Sequence, residues 1–290
     1  MMSWVSIDYD KCNNCRKCLE VCRRCFFLED ETVVVRADEN CCSLCGHCVS
    51  ICSSGAIEHH MMDMNNFIDI SRDKLITPDD FFEFLRQRRS HRHFKEQGIP
   101  KEDMDRLIDI VRYSPTGSNS QSVEVVVIQD VKKMEKLSNL AVDFMADDGE
   151  ESARRLQELK SEGKGTPEEL AVMEMIERYG EIMKQSREMG NDPVFYRAPA
   201  VMVFHSSKEG RSQKDNCVIA STTMGLLART IGLEYTYIGI FEAAANESPR
   251  VMEELNLPKG HGVYSVIVLG YPKFKFLRTV DRKPTAVRWE

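Results

Sequence analysis

The sequence predicts an α+β fold in which a small cysteine-rich domain precedes a larger main domain. The chain has 290 residues, which is more than one ordinary hydrophobic core holds. Ten of its 11 cysteines lie between Cys12 and Cys52, and this break in composition marks a boundary. Beyond it, segments with helical and with strand patterns alternate loosely. We therefore divide the chain into residues 1–62, a connection over 63–76, and a main domain over 77–290.

The composition excludes several classes of protein. Hydrophobic residues make up 42% and charged residues 29%, with a mean hydropathy of −0.37, which is typical of soluble globular proteins. The net charge of −7 leaves no basic excess for binding nucleic acid. No signal peptide or membrane-length apolar run is recognisable, so we expect a cytoplasmic protein. In that reducing compartment, clustered cysteines are more often metal ligands or catalysts than disulfides.

The cysteine-rich region contains one spacing pattern twice. Four cysteines are separated by three, three and four positions, and the same gaps recur thirty residues later. In this pattern, three thiolates of a run bind one 4Fe-4S cluster and the fourth binds the other cluster. Zinc, the alternative metal, usually takes two C-x2-C pairs with a longer spacer. The expected ligand sets are Cys12, Cys15, Cys18 and Cys52 for one cluster, and Cys42, Cys45, Cys48 and Cys22 for the other.

This region resembles the bacterial two-cluster ferredoxins over about residues 3–60. Those ferredoxins usually have proline after the fourth cysteine of each run, whereas Arg23 and Ser53 stand there in this chain. Two cysteines remain outside the pattern. We expect Cys25 and Cys41 to be small buried residues near the clusters.

The main domain begins with a helix. Thr77 and Pro78 predict its start, because threonine caps helices and proline suits their first turn. Its expected apolar anchors are Phe81, Phe82, Phe84 and Leu85. Further helices are expected at Lys101–Arg112 and about Lys214–Thr230, and strands at Val123–Ile128, Ala200–Phe204, Tyr235–Phe241 and Val263–Leu269. A charged helical insert is expected at about residues 132–192. Its methionine stripe is expected to be core or dimer surface, with a substrate lid as the less frequent alternative.

Two polar segments of the main domain carry residues suited to a cofactor. In an extended chain, Arg88, Ser90 and Arg92 would point the same way and offer two guanidinium groups and a hydroxyl to a phosphate. On spacing alone, a solvated basic patch is the more frequent alternative. The loop Tyr113–Gln121 is rich in small polar residues and offers N–H groups and amides to a polar ring. No glycine-rich dinucleotide fingerprint or Walker A loop is present.

Together, R-R-S-x-R and S-P-T-G-S-N-S-Q resemble the motifs of the FMN-dependent nitroreductase family, and the resemblance covers about residues 80–290. It implies a homodimer with two FMN molecules at the subunit interface. Arg88, Ser90 and Arg92 would bind the phosphate. The full set of implied cofactor-binding residues is Arg88, Arg89, Ser90, Arg92 and Arg282, Gly239 near the isoalloxazine ring, and Pro115, Thr116, Asn119 and Gln121 from the partner subunit.

The two resemblances imply an iron-sulfur flavoprotein oxidoreductase. Electrons would pass from an external donor, reduced ferredoxin or NAD(P)H, through the two clusters to FMN. The acceptor would be an electron-poor small molecule such as a nitroaromatic or a quinone. Two alternatives stay open: an electron-transfer or redox-sensing module without its own substrate, and an NAD(P)H-driven nitroreductase. No catalytic residue is predicted, although His91, His93 and His205 are available to supply protons.

Overall fold

The computed structural model describes residues 4–290 and shows two compact units. The first unit extends to residue 80 and includes residues 118–120, and the second comprises residues 81–117 and 121–290. Helices take up 46% of the chain and strands 15%, so the predicted mixture of helix and sheet is confirmed. The exact domain boundaries given above stay a prediction.

The first unit is built from short elements around a small core. Its strands and helices are β1 (Val5–Ile7), α1 (Lys17–Val21), β2 (Phe26–Glu29), β3 (Thr32–Val35), α2 (His47–Ile51) and β4 (Ile57–His59). β1 pairs with β4 and β2 pairs with β3, both antiparallel. The buried core consists of Trp4, Val5, Cys25, Phe26, Val33, Cys48 and Ile57. A core of this size usually needs metals or covalent crosslinks to hold a domain together.

A disulfide joins Cys25 to Cys41 in this unit, with their Cα atoms 5.4 Å apart. The sequence analysis did not predict this bond; Cys25 is buried as expected, whereas Cys41 is half-buried. Cys25 lies at the base of the hairpin formed by β2 and β3, where its carbonyl oxygen accepts the N–H of Arg36 at 2.8 Å. The hairpin returns the chain to its starting point, which brings Cys41 within bonding distance.

The second unit contains a four-stranded antiparallel sheet. The strands are β5 (Glu124–Ile128), β6 (Ala200–Ser207), β7 (Glu234–Tyr237) and β8 (His261–Gly270), arranged in the order β5-β6-β8-β7. The central strand β6 is buried on both faces: Val201 and Val203 join one core, whereas Ala200 and Met202 join the other. Strands covered on both sides are rich in apolar residues, as β6 is from Ala200 to Phe204.

Helices cover both faces of this sheet. The helices from residue 78 onward are α3 (Pro78–Arg86), α4 (Lys101–Asp109), α5 (Val131–Ser161), α6 (Pro167–Glu188), α7 (Gln213–Thr230), α8 (Gly239–Glu247) and α9 (Pro249–Leu255), of which α3 contributes no buried residue. α5, α8 and α9 supply residues to one core, and α4 and α7 supply residues to the other. α6 packs along α5. Within residues 4–290, no helix combines the length and the apolar character needed to cross a membrane.

Two details of the helices differ from the expectations. The predicted strand Tyr235–Phe241 ends at Tyr237, and Gly239 already begins α8. The strand prediction is wrong at this end because the run is aromatic and β-branched, and Ile238 has no side-chain cap that would signal a helix. α3 is capped by Thr77 as expected, but none of its residues is buried and Phe82 is 66% exposed. Of the expected anchors, Phe81, Phe82 and Leu85 are exposed in the single chain, whereas Phe84 is half-buried beneath the Arg229 guanidinium.

Replacing Gly180 with alanine should destabilise the protein. A Cβ atom at Gly180 would lie 2.5 Å from the carbonyl oxygen of Met145, so α5 and α6 would have to move apart. Replacing a glycine with alanine inside a helix ordinarily stabilises the folded protein by about 0.5–1 kcal/mol. Here we expect a loss of about 1–3 kcal/mol in the free energy of unfolding, measured by chemical denaturation. Gly149→Ala is the matched control and should cost less, since its nearest neighbour is 3.3 Å away. Unchanged or higher stability of Gly180→Ala would contradict this packing.

Candidate functional site

The structure brings the eight repeated cysteines together in two groups within the first unit. One small cavity is lined by Cys12, Cys15, Cys18 and Cys52. The thiols of Cys22, Cys42 and Cys45 lie close enough to Cys48 to act on its ionisation. Each group therefore combines three cysteines of one run with the fourth cysteine of the other run. That these groups hold iron-sulfur clusters stays a prediction.

Burial and hydrogen bonds act in opposite directions on these thiols. Burial, together with the neighbouring cysteines, raises the pKa of Cys48 to about 11. Burial also opposes ionisation of Cys52, but hydrogen bonds from Ser54 and the Ala56 N–H outweigh it and lower the pKa of Cys52. The Ala56 nitrogen lies 3.2 Å from the Cys52 sulfur. Such donors stabilise thiolates that bind metals, and a bound cation deprotonates a coordinating thiol outright.

The spacing of the sulfur atoms bears on which metal group the cysteines would hold. Among residues 4–290, one group of at least three His, Cys, Asp or Glu residues has ligand atoms that all lie within 4.8 Å of one another. This group contains no cysteine. A tetrahedral zinc ion, with bonds of about 2.3 Å to sulfur, would hold its thiolates about 3.8 Å apart. No three cysteine sulfur atoms of the described residues meet the 4.8 Å limit. Whether each group of four thiols holds an iron-sulfur cluster or another metal stays a prediction.

The basic segment after α3 alternates between buried and exposed side chains. Arg89 and His91 are buried, whereas Ser90 and Arg92 are exposed and Arg88 is half-buried. Arg88, Ser90 and Arg92 are therefore more accessible to solvent than the two residues between them. Their role in binding a phosphate stays a prediction.

Arg89 is held by backbone groups. Its guanidinium donates to the carbonyl oxygens of Arg86 at 3.0 Å, Arg88 at 2.8 Å and Arg278 at 3.4 Å. Its Nε atom is buried without a hydrogen-bond partner. These bonds connect the basic segment to the C-terminal part of the chain.

The loop Tyr113–Gln121 has an unusual backbone. Ser118, Asn119 and Gln121 have φ angles of 56°, 54° and 47°, in the left-handed region that non-glycine residues seldom adopt. Such conformations persist only where the surroundings enforce them, and they cluster at ligand-binding sites.

Hydrogen bonds hold this loop in place. The Gly117 N–H donates to the side-chain oxygen of buried Asn216 at 2.9 Å, and the Gln121 N–H donates to the Thr116 hydroxyl at 3.0 Å. Pro115 is exposed beside them. Sequence analysis missed Asn216; a lone asparagine among the small buried residues of α7 is the signal that identifies it.

The remaining residues predicted to bind the cofactor belong to three different segments of the chain. The side-chain amide of Asn119 donates to the carbonyl oxygens of Ser43 at 2.8 Å and Leu44 at 3.0 Å, all within the first unit. Gly239 is the first residue of α8, and a Cβ atom there would meet nothing within 4 Å. Arg282 is exposed in the C-terminal segment.

A cavity of about 430 Å³ lies in the second unit, lined by His91, Arg229, Glu234 and part of Pro272–Thr279. None of the ten residues predicted to bind the cofactor lines it. The Arg229 Nε atom is 3.2 Å from the Glu234 carboxylate, and the His91 Nε2 atom is 3.6 Å from it. The cavity wall therefore contains a nearly buried charged network.

The protein should lose stability in mild acid through His91. Burial lowers the pKa of His91, and Glu234 offsets this only in part. In the unfolded chain, histidine takes up its proton near about pH 6.5. Below that pH the unfolded state binds more protons than the folded state, so the free energy of unfolding falls as the pH decreases. Denaturation between about pH 8 and pH 5.5 measures the slope. His91→Gln should flatten it, and an unchanged slope would contradict this assignment.

Comparisons with known proteins agree with both units. The model of the Nitroreductase family matches residues 85–271. A nitroreductase with bound FMN from Bacteroides fragilis has a similar fold, with a TM-score of 0.55 and 18% identity, covering 73% of this chain and 99% of that chain. The ferredoxin of Methanothermococcus thermolithotrophicus is 41% identical over 56 residues, 18% of this chain and 92% of that protein. The FMN reductase (NAD(P)H) of Bacillus subtilis is 33% identical over 57 residues, 20% of this chain and only 23% of that protein.

Proposed function

Because the chain belongs to the nitroreductase family and carries a ferredoxin-like region, we propose that it is an FMN-dependent oxidoreductase supplied with electrons by two 4Fe-4S clusters. One observation carries the proposal: a nitroreductase fold shares its chain with two groups of four cysteines, each drawn from both runs. Clusters carry single electrons, and FMN combines them for the two-electron reduction of an organic acceptor. An electron-poor acceptor, such as a nitroaromatic or a quinone, suits that chemistry.

The second unit offers the groups that FMN requires. Arg88, Ser90 and Arg92 lie on the accessible side of the basic segment and would bind the phosphate through charge-assisted hydrogen bonds. α8 begins at Gly239, and the first N–H groups of a helix have no partner within it. With open space beside Gly239, these donors would stabilise negative charge on a flavin ring.

We further propose that the chain acts as a homodimer. Large apolar side chains remain exposed on α3, on α7 and in the C-terminal segment, as Phe82, Ile219 and Trp289 illustrate at 66%, 39% and 91% exposure. A second copy would cover such surfaces and bring its loop Tyr113–Gln121 to the flavin. Sedimentation analysis should find two chains and two FMN molecules per particle, and a monomer that retains FMN would contradict this arrangement.

The deciding experiment asks whether electrons placed on the clusters reach the flavin. Protein purified without oxygen should contain about eight iron atoms and one FMN per chain. A one-electron reductant is then added in steps while cluster and flavin absorbance are recorded. We expect the flavin to become reduced as the clusters pass their electrons on. Flavin that stays oxidised beside reduced clusters would overturn the proposed electron path.

NAD(P)H is the second donor to test, because a segment of the chain is similar to an FMN reductase that uses it. Rapid bleaching of FMN by NADH in a variant lacking the clusters would assign the flavin's electrons to the nicotinamide. An anaerobic screen of nitroaromatics and quinones tests the enzyme itself. Turnover well above that of free FMN supports an enzyme, whereas no turnover with any acceptor supports an electron-transfer module.

A further inference from the structure

Three side chains outside the proposed cofactor sites meet at one end of the sheet in the second unit. They are Glu124 in β5, His205 in β6 and His261 in β8. Their potential ligand atoms all lie within 4.8 Å of one another. Among residues 4–290, no other group of three or more His, Cys, Asp or Glu residues meets this limit. The Nδ1 atoms of the two histidines are 3.0 Å apart, and the His261 Nε2 atom is 3.9 Å from a Glu124 carboxylate oxygen.

The strand register places all three side chains on the same face. Glu124 lies directly opposite His205 in the pairing of β5 with β6. His261 lies opposite Ser207, and Ser207 shares its face with His205 two residues earlier. Directly opposite residues point to the same face of a sheet, so the two imidazoles are diagonal neighbours on the face that also carries Glu124.

A β-bulge produces this arrangement. Phe204 pairs with Ser265, but the next residue, His205, pairs with Val263, so one residue of β8 is skipped. Because side chains alternate along a strand, an unbroken register would turn His261 to the opposite face from His205. Bulges of this kind re-aim side chains and are frequent beside functional sites.

We propose that a divalent transition-metal ion binds to Glu124, His205 and His261. Zinc is the ion with which the proposal is argued and tested. Two imidazole nitrogens and one carboxylate oxygen are a donor set that zinc accepts with water in the fourth position. His205 is 3% exposed and the His261 side chain 13%, whereas the Glu124 side chain is 55% exposed. The ion would enter from solvent past the carboxylate and bind to two nearly buried imidazoles.

The contact between the two imidazoles agrees with this role. Their Nδ1 atoms face each other at a distance of 3.0 Å. Imidazole nitrogen is the commonest protein ligand for such an ion, and a cation at this place would be bound by both rings.

A metal ion at this position would connect β5, β6 and β8. It would also fix the start of β5, into which the loop Tyr113–Gln121 leads. Zinc should therefore raise the thermal stability of the natural protein, because an ion that binds only the folded state stabilises it. The inference depends on neither FMN nor the clusters and can be tested apart from the proposed function.

The test is a zinc titration of the anaerobic protein with its clusters intact, in competition with a chromophoric chelator. We expect about one zinc per chain, with affinity reduced by at least about 10–100-fold in Glu124→Gln and in His261→Gln. The matched control is Glu209→Gln, which removes an exposed carboxylate from the loop after β6 and should leave zinc affinity unchanged. Circular dichroism of each variant confirms that it is folded.

X-ray absorption at the zinc edge identifies the ligands in the same samples. Nitrogen and oxygen at about 2.0–2.2 Å, with the scattering pattern of imidazole, are expected. Zinc that had replaced iron on the cysteines would show sulfur at about 2.3 Å. Sulfur ligation, no stoichiometric zinc binding, or full affinity in both ligand variants would each overturn the proposal.

Discussion

Replacing Arg88 and Arg92 together with alanine should release FMN while leaving the iron content unchanged. Both side chains lie on the accessible side of the basic segment, where they would pair with a phosphate. A hydrogen bond to a charged group contributes about 1.5–3 kcal/mol. Losing two such bonds corresponds to an increase of about two to four powers of ten in the dissociation constant of FMN. Fluorescence titration of the flavin-free protein with FMN measures this change.

A charge-matched variant separates this effect from a general loss of positive charge. Arg154 and Arg155 lie exposed on α5, so Arg154→Ala/Arg155→Ala removes the same charge elsewhere. This control should retain FMN. Normal FMN binding by the Arg88/Arg92 variant would make the phosphate assignment wrong, and a parallel loss of iron would point to a folding defect instead.

Replacing Cys52 with alanine should remove one cluster and interrupt electron flow to the flavin. Although Cys52 closes the second run in the sequence, it lines the cavity of Cys12, Cys15 and Cys18. The variant should therefore lose the cluster of the first run, and iron should fall from about eight to about four atoms per chain. The electron paramagnetic resonance spectrum of the reduced protein should change from that of two interacting clusters to that of a single cluster.

Cys217→Ala is the matched control for this variant. Cys217 is buried in the second unit, away from both cysteine groups, and its replacement should leave iron and spectrum unchanged. Full iron content in Cys52→Ala would contradict the exchange of the fourth cysteine between the runs.

The elements that sequence patterns predicted well are those specified by local interactions. The apolar run beginning at Ala200 is β6, and Thr77 caps α3 as its residue type suggests. The change from strand to helix at Gly239 has no such local signal, because packing of α8 on the sheet decides it. Ser248 and Pro249, by contrast, are a recognisable start for α9 that pattern analysis missed.

The same distinction applies to the candidate sites. The cysteine spacing predicts which cysteines lie together, because each run of four cysteines is short and is shaped by local turns. Asn216 meets Gly117 from 99 positions away, which only the packing of α7 beside the loop decides. The orientation of His261 depends on one skipped residue in β8, which spacing alone does not reveal.

The disulfide of the first unit also bears on how the proposed metal clusters would assemble. Ten cysteines lie in this part of the chain. Their thiolates are chemically alike, so an iron ion could bind any of them. Once Cys25 and Cys41 are bonded to each other, eight thiols remain, which is the number that two four-cysteine clusters take. Every incorrect ligand set that includes either residue is then excluded, so a covalent bond between two non-ligands restricts which clusters the chain can form.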